Sequence, residues 1–368
     1  MTESMANPAG KIASIGYGTT GTTPGDHTLH QMEFERNAPK SNELLIEILY
    51  CGVCHSDAHL LDDSWGLTLY PCIPGHEIVG RVTHAGEDVT KFKVGDIVGV
   101  GNMIDSDRTC SACLEGEENH CEGPHGPTMT QGGYLYQDGS HYNTFGGYSN
   151  NIVVREEFVL RIPTGMDLAS TAPLLCSGTD TYGPLKRFNI KPGDRIGIVG
   201  IGGPGHIAVM LAKAMGAEVT AITTHEAKRE AALQMGAKNV ILSTDESEMK
   251  KYARYFDHIL ATIPNSYDVT PYFSLLRRKG SLTAMGILGP YSRVLNNFSL
   301  AAQGLSLTGS MIGSVAETQE VLDFCAERGI RPQVEVIRIQ DVNEAIERLK
   351  RADVRFRFVI DLSSLRSS

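Results

Sequence analysis

Residues 195–216 read RIGIVGIGGPGHIAVMLAKAMG. A short apolar strand, RIGIVG, runs into glycines at Gly200, Gly202 and Gly205, and HIAVMLAKAMG follows with helical spacing. Glycines at this spacing permit a tight turn and let backbone approach a pyrophosphate at a helix N-terminus. Taken alone, the pattern also fits an ordinary turn. The residues beyond it decide between the two. AEVTAIT, NVIL, DHILAT, SLTAMGI and LSLTGSM read as further strands, and EAKREAALQMG, EMKKYARYF and YFSLLRRKG as helices between them. Alternating strands and helices imply a parallel sheet covered on both faces. Six strands in this rhythm predict an α/β, six-stranded, doubly wound (Rossmann) cofactor domain over residues 177–313. Its phosphate loop is Gly200, Ile201, Gly202, Gly203, Pro204 and Gly205.

The end of the second strand separates NAD from NADP. A carboxylate there would hold the ribose 2′-hydroxyl and repel a 2′-phosphate. The sequence instead reads AITTHEAKRE, with Thr223, Thr224 and His225 in that region and Lys228 one turn into the following helix. Hydroxyls and a nearby cation suit a phosphate, so NADP is expected. Glu226 would oppose it if its side chain pointed inward.

Outward from this half, the first part of the chain is rich in short strands and turns. NELLIEILY and GDIVGVG have strand character, and PGHEIVGRV reads as a tight turn into a strand. Dense glycine between Gly123 and Gly147 suggests a long surface loop. After Gly313 come helix AETQEVLDFCAERG, strand QVEVIRI, helix VNEAIERLK and strand RFRFVID. With the six-strand sheet complete, this tail is expected to return to the first domain. Residues 1–176 and 314–368 are thereby predicted to form one β-rich domain, to which the metal-ligand candidates described below give a catalytic, zinc-binding role.

The chain has 368 residues, 41% hydrophobic and 21% charged, which fits a globular protein of two domains. A formal net charge of −10 without a basic block argues against nucleic-acid binding. The N-terminal MTESMANPAGKIASIGYG lacks a basic segment followed by an apolar run, so a secretory signal is not expected. No apolar run approaches the roughly 18 residues of a membrane span. A cytoplasmic protein with no membrane partner is expected, and its eight cysteines then read as metal ligands or buried thiols.

Three cysteine-containing stretches carry the chemistry. In CGVCHSDAHL, Cys54 follows a strand; in PGHEIVG, His76 and Glu77 sit in a glycine-flanked turn; Cys176 opens the nucleotide-binding half. Each alone reads as a buried thiol or a core histidine. Together, beside a dinucleotide fold, two Cys and one His form a known catalytic zinc set. A Lewis acid plus a nucleotide cofactor implies hydride transfer to or from a polarised carbonyl. In IDSDRTCSACLEGEENHC, Cys110, Cys113 and Cys121 look like three of four metal ligands, and Asp107 stands where the rhythm predicts the fourth. A zinc site with one ligand exchanged, a broken site and no site are all open on spacing alone.

These motifs, with LLCSGTDTY, the GSMIGS turn and the closing DVRFRFVIDL, resemble the zinc-containing medium-chain alcohol dehydrogenases over nearly the whole chain, and within them the cinnamyl alcohol dehydrogenase subfamily of NADP-dependent aldehyde reductases. The resemblance implies a GroES-like catalytic domain. It implies Cys54, His76 and Cys176 as catalytic zinc ligands, with Glu77 beside the metal and able to displace its water. Ser56 would bond the alcohol oxygen and pass its proton to His59 and solvent, and Asp57 would orient the ligand histidine. His55 would lie near the cofactor phosphates, and Thr262, Gly286 and Ile312 join the cofactor-binding set. A structural zinc in the cysteine lobe matches Asp107, Cys110, Cys113 and Cys121, since a carboxylate is an acceptable if harder ligand. His120 is the alternative fourth ligand, constrained by its neighbour Cys121.

The implied activity joins NADP(H) to a small primary alcohol or aldehyde, aromatic or allylic among them, in a homodimer joined through the cofactor domains. Departures from the family are Pro204 in the phosphate loop, Asp180 in place of a threonine near the nicotinamide, and EGPHGPTMT after Cys121, which lacks a tryptophan common in plant members. The last weakens any claim to bulky aromatic monolignols. Competing readings are an enzyme reducing an iminium or conjugated alkene on the same scaffold and a non-catalytic NADP-binding protein. Retention of Cys54, Ser56, His59, His76 and Cys176 argues against both.

Overall fold

The computed structural model describes residues 10–21, 27–135, 141–287 and 289–366. The chain divides into two units. One ends at Cys176 and resumes over Ser314–Ala326 and from Arg331; the other is Ser177–Gly313 with Glu327–Ile330.

The second unit is built on six parallel strands: β1 (Arg195–Val199), β2 (Glu218–Thr223), β3 (Asn239–Leu242), β4 (Phe256–Ala261), β5 (Leu276–Met285) and β6 (Ser306–Ser310). Their order across the sheet is β3-β2-β1-β4-β5-β6. The order reverses between β1 and β4, the switch point at which such sheets take a ligand beyond the strands' carboxyl ends. Central strands are apolar on both faces; Ile196 and Ile198 of β1 and Ile259 and Leu260 of β4 are fully buried. The helix Gly203–Ala214 buries Ile207, Ala208, Leu211 and Ala212, a stripe at helical spacing.

Two expected helices are shorter than their patterns. EMKKYARYF is helical only within Glu246–Lys251. Arg254 then takes a left-handed φ of 55°, and Tyr255 N–H donates to the Leu275 carbonyl at 2.8 Å. YFSLLRRKG contributes only to Thr270–Phe273 before entering β5 at Leu276, which pairs with Phe256. In both places strand pairing with β4 overrides local helical spacing. EAKREAALQMG is helical but begins as a 3₁₀ turn at Glu226–Lys228.

In the first unit a seven-stranded sheet follows the order Leu160–Arg161, Ile97–Val100, Ile78–Ala85, Glu43–Gly52, Arg357–Asp361, Val334–Arg338, with Asn151–Arg155 also paired to Glu43–Gly52. The tail strands thus complete this sheet, not the parallel one. The glycine-rich stretch expected as a long loop carries the short strands Thr128–Met129, Gly132–Leu135 and His141–Thr144, and residues 136–140 of it lie outside the described residues. No helix among the described residues is long and apolar enough to cross a membrane.

Candidate active site and metal centres

The register of three adjacent strands assembles the buried site. Cys51 pairs antiparallel with Ile78 on one side and with Ile360 on the other. Cys54, two residues past the end of Glu43–Gly52, therefore emerges beside His76 and Glu77, which precede Ile78, and beside Arg357 at the start of its strand. Cys176 arrives from the 3₁₀ turn Ala172–Leu175, which presses onto the same sheet. Two glycines make room for it. A Cβ on Gly99 would meet Leu175 Cδ2 at 2.7 Å, and one on Gly101 the Leu175 carbonyl oxygen at 2.6 Å.

The ligand atoms of Cys54, His76, Glu77 and Cys176 lie within 4.8 Å of one another, and all four residues are buried. His76 Nε2 is 3.3 Å from Cys176 Sγ. A tetrahedral zinc with sulfur at about 2.3 Å and nitrogen at about 2.0–2.1 Å puts those two atoms about 3.5 Å apart, so the donor set fits that metal. Asp57, fully buried, fixes the imidazole. Its Oδ1 lies 3.1 Å from His76 Nδ1, while Oδ2 accepts the Cys54 N–H at 2.7 Å and the Tyr148 hydroxyl at 2.8 Å. The Nδ1 proton is thereby claimed and Nε2 is left to a metal. The charges match a cation site. The Cys54 thiol is held well below its ordinary value by its hydrogen bond with Cys176, against the opposing effect of burial. Burial pulls His76 down, but the charge and hydrogen bond of Asp57, with Cys54, lift it to about 10. A bound divalent cation would take the place of that proton.

Glu77 makes a fully buried ion pair with Arg357 through Oε1 and Nη2. Its other oxygen, Oε2, has no hydrogen-bond partner, and it lies where a Cβ on Gly52 would stand, 1.8 Å from that position. One carboxylate thus faces both Arg357 and the ligand cluster. Sequence reasoning missed Arg357 and Tyr148. The one signal for Arg357 was a guanidinium inside the apolar run RFRFVID; nothing local marked Tyr148.

Ser56, Asp57 and His59 lie on the seven-residue helix His55–Leu61. Ser56 Oγ is 3.6 Å from Cys54 Sγ, and His59, one turn on, shares its face. His55 is half-buried, and desolvation lowers its pKa to about 4.

The lobe is equally ordered. Ligand atoms of Asp107, Cys110, Cys113 and Cys121 lie within 4.8 Å of one another, and His120 is not among them. Asp107 Oδ1 accepts the N–H groups of Thr109 at 2.9 Å and Cys110 at 3.0 Å. Those two bonds, the Cys110 one first, hold its carboxyl down to about 2. Backbone N–H groups of Glu122 and Gly123 point at the sulfurs of Cys110 (3.3 Å) and Cys121 (3.4 Å). Such donors would hydrogen-bond the sulfurs of a bound metal. The three cysteines outside the two clusters, Cys51, Cys72 and Cys325, are buried and form no disulfide; burial pushes the thiols of Cys72 and Cys325 up to about 12.

In the second unit the sequence-chosen cofactor residues gather at the strands' carboxyl ends. Gly200 (φ 86°) follows β1, Thr262 follows β4, Gly286 follows β5, and Ile312 (φ 44°) lies two residues beyond β6. A Cβ on Gly205 would stand 1.8 Å from the Gly200 carbonyl oxygen, so only glycine brings the helix this close to the turn. A Cβ on Gly202 would meet nothing within 4 Å, which leaves that backbone open to a phosphate. Pro204 falls in the first turn, where its missing N–H costs no helical bond. The Thr262 hydroxyl is turned onto the loop, 2.7 Å from the Gly200 oxygen. Thr223 is buried and its Oγ1 accepts the His225 N–H at 3.2 Å, while Thr224 and His225 are exposed. Glu226 does not oppose a phosphate in the way its position suggests, because both its oxygens bond Arg229, at 2.8 and 3.1 Å. Asp180 is half-buried in the first turn of Ser177–Arg187.

Residues 40–164 match the family model described as alcohol dehydrogenase GroES-like domain, and residues 203–327 that of zinc-binding dehydrogenase. The chain belongs to the zinc-binding alcohol dehydrogenase family. Among its relatives, aldehyde reductase YahK of Escherichia coli is 46% identical over 92% of this chain and 95% of its own. A cinnamyl alcohol dehydrogenase of Sorghum bicolor superposes with a TM-score of 0.89 at 37% identity, over 95% of this chain and 98% of that one. CAD from Helicobacter pylori, solved with NADP(H), gives 0.87 at 36%, over 97% and 100%. The dehydrogenase therefore combines a GroES-like domain with a Rossmann-like one, and is of the cinnamyl alcohol dehydrogenase type.

Proposed function

We propose that this dehydrogenase interconverts small primary alcohols and aldehydes, aromatic or allylic ones among them, with NADP(H). Cys54, His76 and Cys176 hold a catalytic zinc, and Asp107, Cys110, Cys113 and Cys121 a structural one. The observation that carries this reading is the buried Cys54–His76–Cys176 cluster, its imidazole oriented by Asp57 and the Ser56 hydroxyl at its edge, 3.6 Å from Cys54 Sγ. Bound zinc supplies a Lewis acid for the carbonyl oxygen, and NADPH supplies the hydride. Ser56 bonds the substrate oxygen and moves its proton to or from His59. Glu77 waits on Arg357 as an internal carboxylate able to approach the metal position, and the deep burial of the set excludes bulk water. The domain of residues 1–176 and 314–368 is the zinc-binding catalytic one, and that of residues 177–313 binds the dinucleotide. The test is NADPH consumption with benzaldehyde, cinnamaldehyde and aliphatic aldehydes, before and after chelation. Turnover that stops on chelation and returns with zinc is expected; no turnover with zinc present would sink the reading.

The cofactor is NADP because the half-buried Lys228 carries no ion pair among the described residues while Glu226 is occupied by Arg229. Gly200–Gly205 take the pyrophosphate, Thr223, Thr224, His225 and Lys228 the 2′-phosphate region, and His55, Thr262, Gly286 and Ile312 complete the set. Lys228→Glu is expected to raise KM for NADPH at least about tenfold with much less effect on NADH, since it sets a carboxylate against a phosphate. Parallel titrations of the two cofactors check it.

The protein acts as a homodimer. Strand β6 is one of the two edges of the parallel sheet, and Val294 (97%), Phe298 (74%) and Ile287 (49%) of the same unit are exposed. An open edge together with exposed apolar residues in one unit calls for a covering partner. Light scattering of Val294→Asp/Phe298→Asp should give a monomer where the parent gives a dimer. Thiol ligand clusters need a reducing compartment, so we place the protein in the cytoplasm.

A further inference from the structure

We propose that Trp65 is a positioning residue for the proton-relay histidine, His59. This rests on the relay role given to Ser56 and His59 above. Oxidation converts RCH2OH and NADP+ to RCHO, NADPH and one proton; the hydride leaves carbon for the cofactor, and the proton leaves oxygen through Ser56 and His59 for water. His59 is half-buried, near the end of a seven-residue helix. The imidazole χ2 torsion is broad, so such a ring wanders unless packed. The indole of Trp65 packs it, with ring centroids 5.4 Å apart and planes tilted by 36°. That separation lies within the reach of aromatic packing and of cation–π attraction once the ring accepts the relayed proton.

The turn that carries Trp65 is tied back to the helix. Asp63 takes a left-handed φ of 45°, and Ser64 N–H donates to the His59 carbonyl at 3.0 Å. Thr68 closes the other side, its hydroxyl on the Leu60 carbonyl at 2.6 Å and its N–H on Asp63 Oδ1 at 3.0 Å. Lys350 anchors the helix end through Asp62 at 2.9 Å. The turn thus holds the indole against the imidazole, and the ring contact shown for it is with His59.

Trp65 is the sole tryptophan of the chain, so its emission reads the contact directly. In the full-length zinc-loaded enzyme, His59→Ala should raise and shift that emission, because the neighbouring imidazole is removed. In steady-state oxidation Trp65→Ala should lower kcat about three- to tenfold, the range of one aromatic contact. KM for NADP+ should be unchanged, and Trp65→Phe should retain most of the rate. His59→Ala/Trp65→Ala should be no slower than His59→Ala, since both act on one group. Added imidazole should restore rate to either single variant but not to Cys54→Ala. Emission unchanged in His59→Ala, multiplicative losses in the double variant, or a Trp65→Ala effect confined to substrate KM would each overturn the proposal. Full activity of His59→Ala would instead overturn the relay itself.

Discussion

Cys54→Ala is expected to abolish turnover in both directions, lowering kcat at least about a thousandfold. A Lewis acid at a developing oxyanion contributes several kcal/mol, and each ~1.4 kcal/mol is tenfold in rate. The loss comes from the whole arrangement around the thiolate. Cys54 provides a sulfur, and its backbone N–H holds Asp57 Oδ2, whose partner oxygen orients His76. Alanine keeps the backbone bond and removes only the sulfur, so the fold and the Asp57–His76–Tyr148 network should survive. Metal analysis of the purified variant should find one zinc per chain fewer than in the parent, with NADPH affinity by fluorescence unchanged. Normal turnover in a zinc-free Cys54→Ala sample would refute the assigned mechanism. Loss of both metals together would show that the substitution unfolds the first unit.

The readable parts of this protein were those whose physics is local. Gly200, Gly202 and Gly205 are legible because a turn that brings a helix against its own entry tolerates nothing larger at Gly205. Cys54, His76 and Cys176 stand out in the sequence because few residue types bind zinc, and the structure brings the three together: Cys54 follows a strand, His76 precedes one and Cys176 follows a 3₁₀ turn. Arg357 is not legible in that way. It meets Glu77 across 280 residues, through a register that only the assembled sheet supplies. Glu226 shows the converse: its position suggested opposition to a phosphate, yet Arg229, three residues on, holds both its oxygens. YFSLLRRKG failed because Leu276 finds its partner in Phe256 of β4, and a parallel strand pair outweighs a one-turn helix.

Asp107 carries the second large effect. Thr109 and Cys110 N–H groups hold its Oδ1, which keeps the carboxyl ionised and leaves Oδ2 without either donor. Such a group would serve a lobe metal as a fixed anionic ligand. Asp107→Ala should therefore weaken zinc in the lobe by at least about a hundredfold, beyond the 10–100-fold typical of an outer-shell partner. Zinc content after dialysis should fall from about two per chain to about one. Asp107→Cys should hold metal more tightly than the parent, because thiolate is the softer donor. Competition with a colorimetric chelator ranks the three proteins, and the order alanine, aspartate, cysteine is expected. The catalytic metal should be untouched at first, since Cys54, His76 and Cys176 share no ligand with the lobe. The lobe is nonetheless joined to the rest of its unit. Glu118, between Cys113 and Cys121, accepts the Val315 N–H at 3.4 Å at the start of the helix Val315–Arg328. Loss of the lobe metal should thus first appear as faster proteolysis of residues 107–123 and a lower melting temperature, with kcat near the parent value at low temperature. An Asp107→Ala protein that keeps two zincs would show that three thiolates suffice and that the carboxylate serves only the turn.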